Sequence, residues 1–344
     1  MVFNLNKYSC KEGASMFKTI TILIPAYNEE EVIYQLYSRL TRVIDSITGY
    51  HFELLFVNDG SKDNTVEILK NLGKKDRRIS LVDLSRNFGK EVAMIAGLDF
   101  SVGNAVVIID ADLQDPPELI VEMIKYWEQG YDDIYAKRAT RAGETWLKKW
   151  TASSFYKLLQ RMSRIPIQEN TGDFRLLDRR CIEALKQLRE TQRYTKGMFS
   201  WIGFNKKEIL FNRDSRAAGE TKWNYYKLLD LAIEGITSFT TAPLRLSAML
   251  GVFISIGAFF YMIFIITRTL IFGGSVAGYA SLMTVILFLG GIQLLSLGII
   301  GEYLGRVFNE TKSRPLYFVK EYNDGKGAIS EQKYMENRFS RGRI

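Results

Sequence analysis

The chain has 344 residues, 47% of them hydrophobic, and a formal net charge of +8, enough for one large globular domain with something further attached. Its two cysteines, Cys10 and Cys181, argue against a disulfide framework or a cysteine zinc site, and the single histidine, His51, leaves no histidine-based metal or triad chemistry. The cations gather around membrane-proximal segments, where anionic headgroups attract them, so no nucleic-acid partner is expected.

Residues 1–17 read as an N-terminal extension without a signal peptide, because Lys7, Lys11 and Glu12 interrupt any apolar core. Apolar runs then alternate with helical patterns. Strands are predicted at 19–24, 52–57, 79–84, 105–109 and 133–136, with helices at 29–47, 65–72, 90–102 and 116–129. That rhythm predicts an α/β fold built on a mostly parallel, doubly wound sheet, in which ligands bind beyond the carboxyl ends of the strands.

Those ends carry polar clusters. The first strand runs into Pro25-Ala26-Tyr27-Asn28-Glu29, the second into Asn58-Asp59-Gly60-Ser61, and the third into Arg86-Asn-Phe-Gly-Lys90. Asn28 is read as a helix N-cap with Glu31 closing a capping box, and Asp63 and Asn64 as cap or turn residues. Asp59 lies too close to its strand for capping and is read as a ligand contact.

The fourth strand delivers Asp110 and Asp112 to its carboxyl end. Side chains two apart on an extended chain project to one side, so these carboxylates can converge on a hard cation, with the Gln114 amide oxygen as a further ligand. Such oxygen donors suit Mg2+ or Mn2+. Asp115 is read as the N-cap of the next helix, with Pro116 at the first helical position and Glu118 at capping-box spacing. No Gly-x-Gly-x-x-Gly turn follows the first strand and no phosphate-binding P-loop occurs, which disfavours a dehydrogenase or a P-loop ATPase.

A helix over 145–162 places Leu147, Trp150, Phe155 and Leu158 near one face among lysines and an arginine, the pattern of a helix lying in a membrane interface. A second, juxtamembrane amphipathic helix is assigned to 223–243. Leu246 to Thr267 and Leu282 to Gly301 contain no charged residue, each long enough to cross about 30 Å of hydrocarbon. Two transmembrane helices are therefore predicted at 244–268 and 280–304, followed by a tail over 305–344. Arg245 before them and Arg306, Lys312 and Arg314 after them put both ends in the cytoplasm, with Arg268 snorkelling at the far interface.

Taken with Ile24-Pro-Ala-Tyr-Asn-Glu-Glu30, Val57-Asn-Asp-Gly-Ser-Lys-Asp-Asn-Thr65, Asp110-Ala-Asp112, Thr171-Gly-Asp-Phe-Arg-Leu176, Arg216-Ala-Ala-Gly-Glu-Thr-Lys222 and Lys312-Ser-Arg-Pro315, the chain resembles family 2 glycosyltransferases. Within them it looks most like the bacterial polyprenyl-phosphate glycosyltransferases, relatives of dolichol-phosphate mannose synthase. The resemblance spans roughly 18 to 322, and Thr221 stands where relatives often have Ser.

It implies a nucleotide-diphosphosugar transferase (GT-A) sheet over 18–222. Pro25, Ala26, Tyr27, Glu29, Asp59, Lys90 and Asp110 would bind the nucleotide, and Asp110, Asp112 and Gln114 the metal. Asp112 and Asp173 would be the catalytic residues, Asp173 matching a position proposed as base, although positioning is its more natural duty. Lys149 and Ser153, one helical turn apart, and Arg138 after a strand end would hold the lipid phosphate. Lys222 and Arg216 are placed to close over the diphosphate or to face headgroups.

The implied reaction loads one sugar from a nucleotide donor onto undecaprenyl phosphate at the bacterial inner membrane. Asp59 can accept a hydrogen bond from N3–H of uracil, which favours a UDP-sugar, glucose first; UDP-N-acetylglucosamine and GDP-mannose stay open, as do a flippase partner and a homo-oligomer. A processive polysaccharide synthase is disfavoured because no Gln-x-x-Arg-Trp segment is present and the spans are too few. A catalytically idle scaffold for a flippase is the remaining alternative.

Overall fold

The alternating apolar strands and amphipathic helices assemble into an eight-stranded sheet in a computed structural model, described for residues 17–138, 171–191, 193, 195–211, 242–272 and 278–325. Strands β1 (Lys18–Ala26), β2 (Tyr50–Asn58), β3 (Ile79–Leu84) and β4 (Ala105–Ile108) pair in parallel in the order β4-β1-β2-β3. Strand β6 (Thr171–Asp178) inserts antiparallel between β4 and β5 (Asp133–Arg138), and β7 (Lys206–Phe211) lies parallel beside β5. The opposite edge is closed by β8 (Val319–Asn323), antiparallel to β3.

Period-two alternation sorts the strand side chains onto two faces. On one, Ile20, Ile22, Ile24, Leu54 and Phe56 meet α1 (Ile33–Asp45), α2 (Thr65–Lys75) and α4 (Leu119–Glu128). On the other, Leu23, Leu55, Val57 and Ile108 meet α3 (Lys90–Phe100), α5 (Arg179–Gln187) and α6 (Thr195–Trp201). A Cβ at Gly97 would collide with Leu23 Cδ1, so a glycine there lets α3 sit close on β1.

Three local expectations are corrected. Asn28 is not an N-cap: α1 begins at Ile33 without a side-chain cap, and Asn28 adopts a left-handed φ of 54°. Its side chain instead accepts from Lys62 N–H at 2.8 Å and its own N–H donates to Ser61 Oγ at 2.9 Å, tying the β1 loop to the β2 loop. Glu31 therefore closes no capping box. Asp115 is not an N-cap either, because α4 starts at Leu119 after a turn in which Leu119 N–H reaches Pro116 C=O. Glu118 is drawn away to Arg39 in a two-pronged pair at 2.8–2.9 Å. Asp63 does make the expected turn, accepting from Thr65 N–H at 3.1 Å.

Strand β6 carries Arg175, fully buried with Asp133 at 3.2 Å and its guanidinium 3.7 Å from the Phe199 ring centroid. The pair staples β6, β5 and α6 together; losing one partner would strand a buried charge.

Helices α7 (Ala242–Phe272) and α8 (Tyr279–Thr311) contain the apolar spans Pro243–Ile265 and Phe288–Thr311, none of whose window is buried against protein. At 33 residues α8 is about 50 Å long, more than a hydrocarbon core needs, and its last turns carry Glu302, Arg306 and Glu310. Glu310 accepts from Thr191 N–H at 2.7 Å. Beyond it the segment read as a tail returns to the sheet: Tyr317, 3% exposed, donates to Asp99 at 2.7 Å, Ser85 N–H donates to Phe318 C=O at 2.9 Å, and β8 pairs with β3. The hairpin is thus fastened to the strand that leads into the Arg86–Lys90 loop. The helix expected over 145–162 lies outside the described residues, as does the one expected over 223–243 apart from Ala242 and Pro243, which open α7.

Candidate active site

The parallel strands end at one rim, and there a cavity of about 1000 Å³ is lined by Pro25, Ala26, Tyr27, Glu29, Asp59, Lys90, Asp110 and Asp112 among others. The sequence-predicted nucleotide residues therefore share one wall. The β1 loop is rigidly held: Glu29 N–H donates to Thr65 Oγ1 at 2.9 Å and Glu30 N–H to Asp63 at 3.2 Å, while Glu30 accepts from Asn64 N–H. Tyr27, 41% exposed, lines the cavity.

Asp59 does more than line the cavity. Only 3% exposed, it accepts from Phe88 N–H at 2.7 Å and Gly89 N–H at 2.9 Å, so it braces the loop that opens α3. Burial pushes its carboxyl up, and these two amides partly offset the shift. Gly60, at φ 67°, lets the two loops touch; a Cβ there would strike the Arg86 and Asn87 backbone.

The brace sets Lys90. Its Nζ lies 2.7 Å from both oxygens of Asp110, with hydrogen-bond geometry at Oδ2, and 2.6 Å from Asp173 Oδ2. Desolvation works against the ammonium, but Asp110 and Asp173 outweigh it and its pKa is raised. Asp110 is raised, chiefly by burial and against the pull of Lys90. For Asp173 burial also raises the pKa, but Lys90 and Lys196 more than cancel it and the carboxyl is held below its ordinary value. Burial depresses the Lys196 ammonium, against the pull of Asp173.

Asp112 turns back on itself, accepting from Gln114 N–H at 3.2 Å, and Leu113 between them is buried at φ 60°, a left-handed conformation costly for leucine. Gln114 Oε1 is a buried oxygen without a hydrogen-bond partner, Asp110 Oδ1 is buried and met by the Lys90 ammonium without hydrogen-bond geometry, and Asp112 lies on the cavity wall. That set of hard oxygens fits a divalent cation. No group of three His, Cys, Asp or Glu side chains gathers as a metal site among the described residues, so Gln114 would have to contribute. Gln114 does not line the cavity, and neither does Asp173, which reaches it through Lys90.

Arg138 ends β5, its Nη2 3.8 Å from where a Cβ on Gly172 would sit, which puts it beside the Asp173 strand. Lys149 and Ser153 lie outside the described residues. The bridging role of Lys90 and the presence of Lys196 were not read from sequence. For Lys90 a signal existed: it is the first residue of α3, where the helix dipole disfavours a cation, so a lysine there calls for a carboxylate or phosphate partner.

With that geometry in place, residues 21–186 match the family Glycosyl transferase family 2, and residues 242–307 match the GtrB C-terminal hairpin. The chain is 52% identical over 302 residues to an uncharacterized glycosyltransferase of Synechocystis sp., covering 88% of this chain and 95% of the relative. It is 48% identical over 301 residues to the uncharacterized glycosyltransferase YkcC of Bacillus subtilis, covering 88% and 93%. With the bactoprenol glucosyl transferase of Shigella phage SfX it shares 44% identity over 301 residues, 88% of this chain and 98% of that one.

Proposed function

The chain belongs to glycosyl transferase family 2, and from that premise we propose that it moves a single sugar from a nucleotide diphosphate donor to a polyprenyl phosphate, with UDP-glucose and undecaprenyl phosphate as the favoured pair. The observation that carries this reading is the rim cavity, where Asp110, Asp112 and Lys90 stand together in a chain that also bears two apolar helices of membrane-spanning length. The similarity to bactoprenol glucosyl transferases over nearly their whole length supports the lipid acceptor.

Each residue then has a duty. Tyr27 and the Pro25–Glu29 loop flank the nucleobase and ribose, and Lys90 neutralises the diphosphate. Asp110, Asp112 and Gln114 would hold Mg2+ or Mn2+, whose charge would stabilise the leaving diphosphate. An oxygen of the acceptor phosphate attacks the anomeric carbon as the bond to the diphosphate breaks, which inverts that centre. A phosphate monoester is already ionised near neutral pH, its second pKa being about 6, so no proton has to be removed. Asp173, with its lowered pKa, is a poor base and serves to position Lys90 and the acceptor. Arg138, Lys149 and Ser153 would receive the lipid phosphate. The hairpin would sit in the inner membrane with the catalytic domain cytoplasmic.

The donor is tested by competition of unlabelled UDP and GDP against labelled donors in detergent-purified full-length protein. Stronger inhibition by UDP supports the uridine assignment; stronger inhibition by GDP overturns it in favour of a mannose donor. An absence of metal-dependent turnover with every donor would favour the idle scaffold.

A further inference from the structure

We propose that Lys90 is the resident counter-cation of Asp110 and Asp173, and that it yields Asp110 to a divalent cation only when a nucleotide diphosphate is present to receive the lysine. Metal and nucleotide then bind as a coupled pair. This rests on the glycosyltransferase reading above and concerns the order in which that site is filled.

The geometry is direct. Lys90 Nζ stands 2.7 Å from both Asp110 oxygens and 2.6 Å from Asp173 Oδ2, the place from which a cation on Asp110 would be repelled most. A divalent ion entering alone meets a positive charge already seated there. The Lys90 side chain is nevertheless 44% exposed and lines the cavity, so a ligand there can draw the ammonium away from Asp110. Its four-carbon stem can swing without moving the backbone, which Asp59 holds through the Phe88 and Gly89 amides.

A diphosphate supplies what the swing requires. Its oxygens are partners for the ammonium at the N-terminus of an 11-residue helix, a place that favours anions and disfavours lysine. The same oxygens add ligands for the ion beside Asp110 and Asp112, which alone with Gln114 make a sparse set. Each binding event therefore removes the obstacle to the other, and by linkage the enhancement is reciprocal.

The test is a Mn2+ titration followed by electron paramagnetic resonance on full-length protein in detergent, with and without UDP, using wild type, Lys90→Gln, Lys90→Arg and Asp112→Asn. Wild type should bind Mn2+ weakly alone, and at least about tenfold more tightly with UDP after correction for Mn2+ held by free UDP. Lys90→Gln keeps hydrogen-bond donors but no charge; without UDP it should bind Mn2+ about tenfold more tightly than wild type, and UDP should enhance its binding less than in wild type, by the part that the diphosphate oxygens supply as ligands. Lys90→Arg should stay weak without UDP. If Lys90→Gln binds Mn2+ no more tightly than wild type without UDP, while Asp112→Asn still abolishes UDP-dependent binding, the counter-cation role is overturned and the metal assignment stands. If Asp112→Asn binds Mn2+ with UDP as wild type does, the metal assignment itself fails and the proposal with it.

Discussion

Replacing Asp59 separates two roles that the cavity superimposes. Both carboxylate oxygens accept backbone amides of the Phe88–Gly89 turn, and the residue is 3% exposed, so Asp59→Ala leaves two donors without their partner. Each hydrogen bond to a charged group contributes about 1.5–3 kcal/mol. Burial already raises the Asp59 pKa, which offsets part of that gain, and a net loss of about 3 kcal/mol follows. For a domain of this size that corresponds to a fall in unfolding temperature of roughly 6–12 °C. Asp59→Asn should also be damaging, because its amide nitrogen would face an N–H. Intrinsic fluorescence of the full-length protein in detergent reads the unfolding without nucleotide, and UDP titration reads the site. A brace lowers both stability and UDP affinity, since Lys90 is displaced with the loop. An Asp59→Ala protein whose nucleotide-free unfolding temperature moves by less than about 1 °C, with only UDP affinity reduced, would refute the brace and leave a nucleobase contact alone.

Asp112→Asn should remove nearly all turnover with unfolding unchanged, because an amide cannot supply the charge that holds a hard cation; retained activity after chelation would sink the metal assignment. Asp173→Asn should lose activity without recovery at alkaline pH, and recovery to near the wild-type rate would restore general-base catalysis. In stability the sign is that of a depressed carboxyl: the contribution of Asp173 is present above its unfolded pKa of about 3.9 and is lost as pH falls through the lower folded value, so wild type and variant should converge in acid denaturation. Lys149→Ala and Ser153→Ala should raise KM for the lipid far more than for the donor, and less than additively together; equal effects on both substrates would point to a folding defect.

The parallel half of the sheet was legible because its strands are apolar runs of the expected length bounded by polar turns. Strand β6 was not, since Gly172, Asp173 and Arg175 break its apolar pattern and Arg175 is buried against Asp133 and Phe199 from other elements. Strand β8 is an edge of five residues, Val-Lys-Glu-Tyr-Asn, held by a pairing made after the two long apolar helices, and Lys70 reaching Glu321 at 2.7 Å is a contact no local window contains. Asp110 and Asp112 were visible from their place after an apolar strand. The capping reading of Asn28 failed because a polar side chain at a strand end can brace a neighbouring loop as readily as it caps a helix, and that of Asp115 because the helix begins later, at Leu119; spacing shows neither.

The most direct test of the central claim is mass spectrometry of the lipid made by purified full-length protein from undecaprenyl phosphate and UDP-glucose with Mg2+ or Mn2+. The expected product is undecaprenyl phosphate carrying one hexose, absent with Asp112→Asn. A ladder of several hexoses, or no lipid-linked sugar from any nucleotide donor, would contradict the assignment.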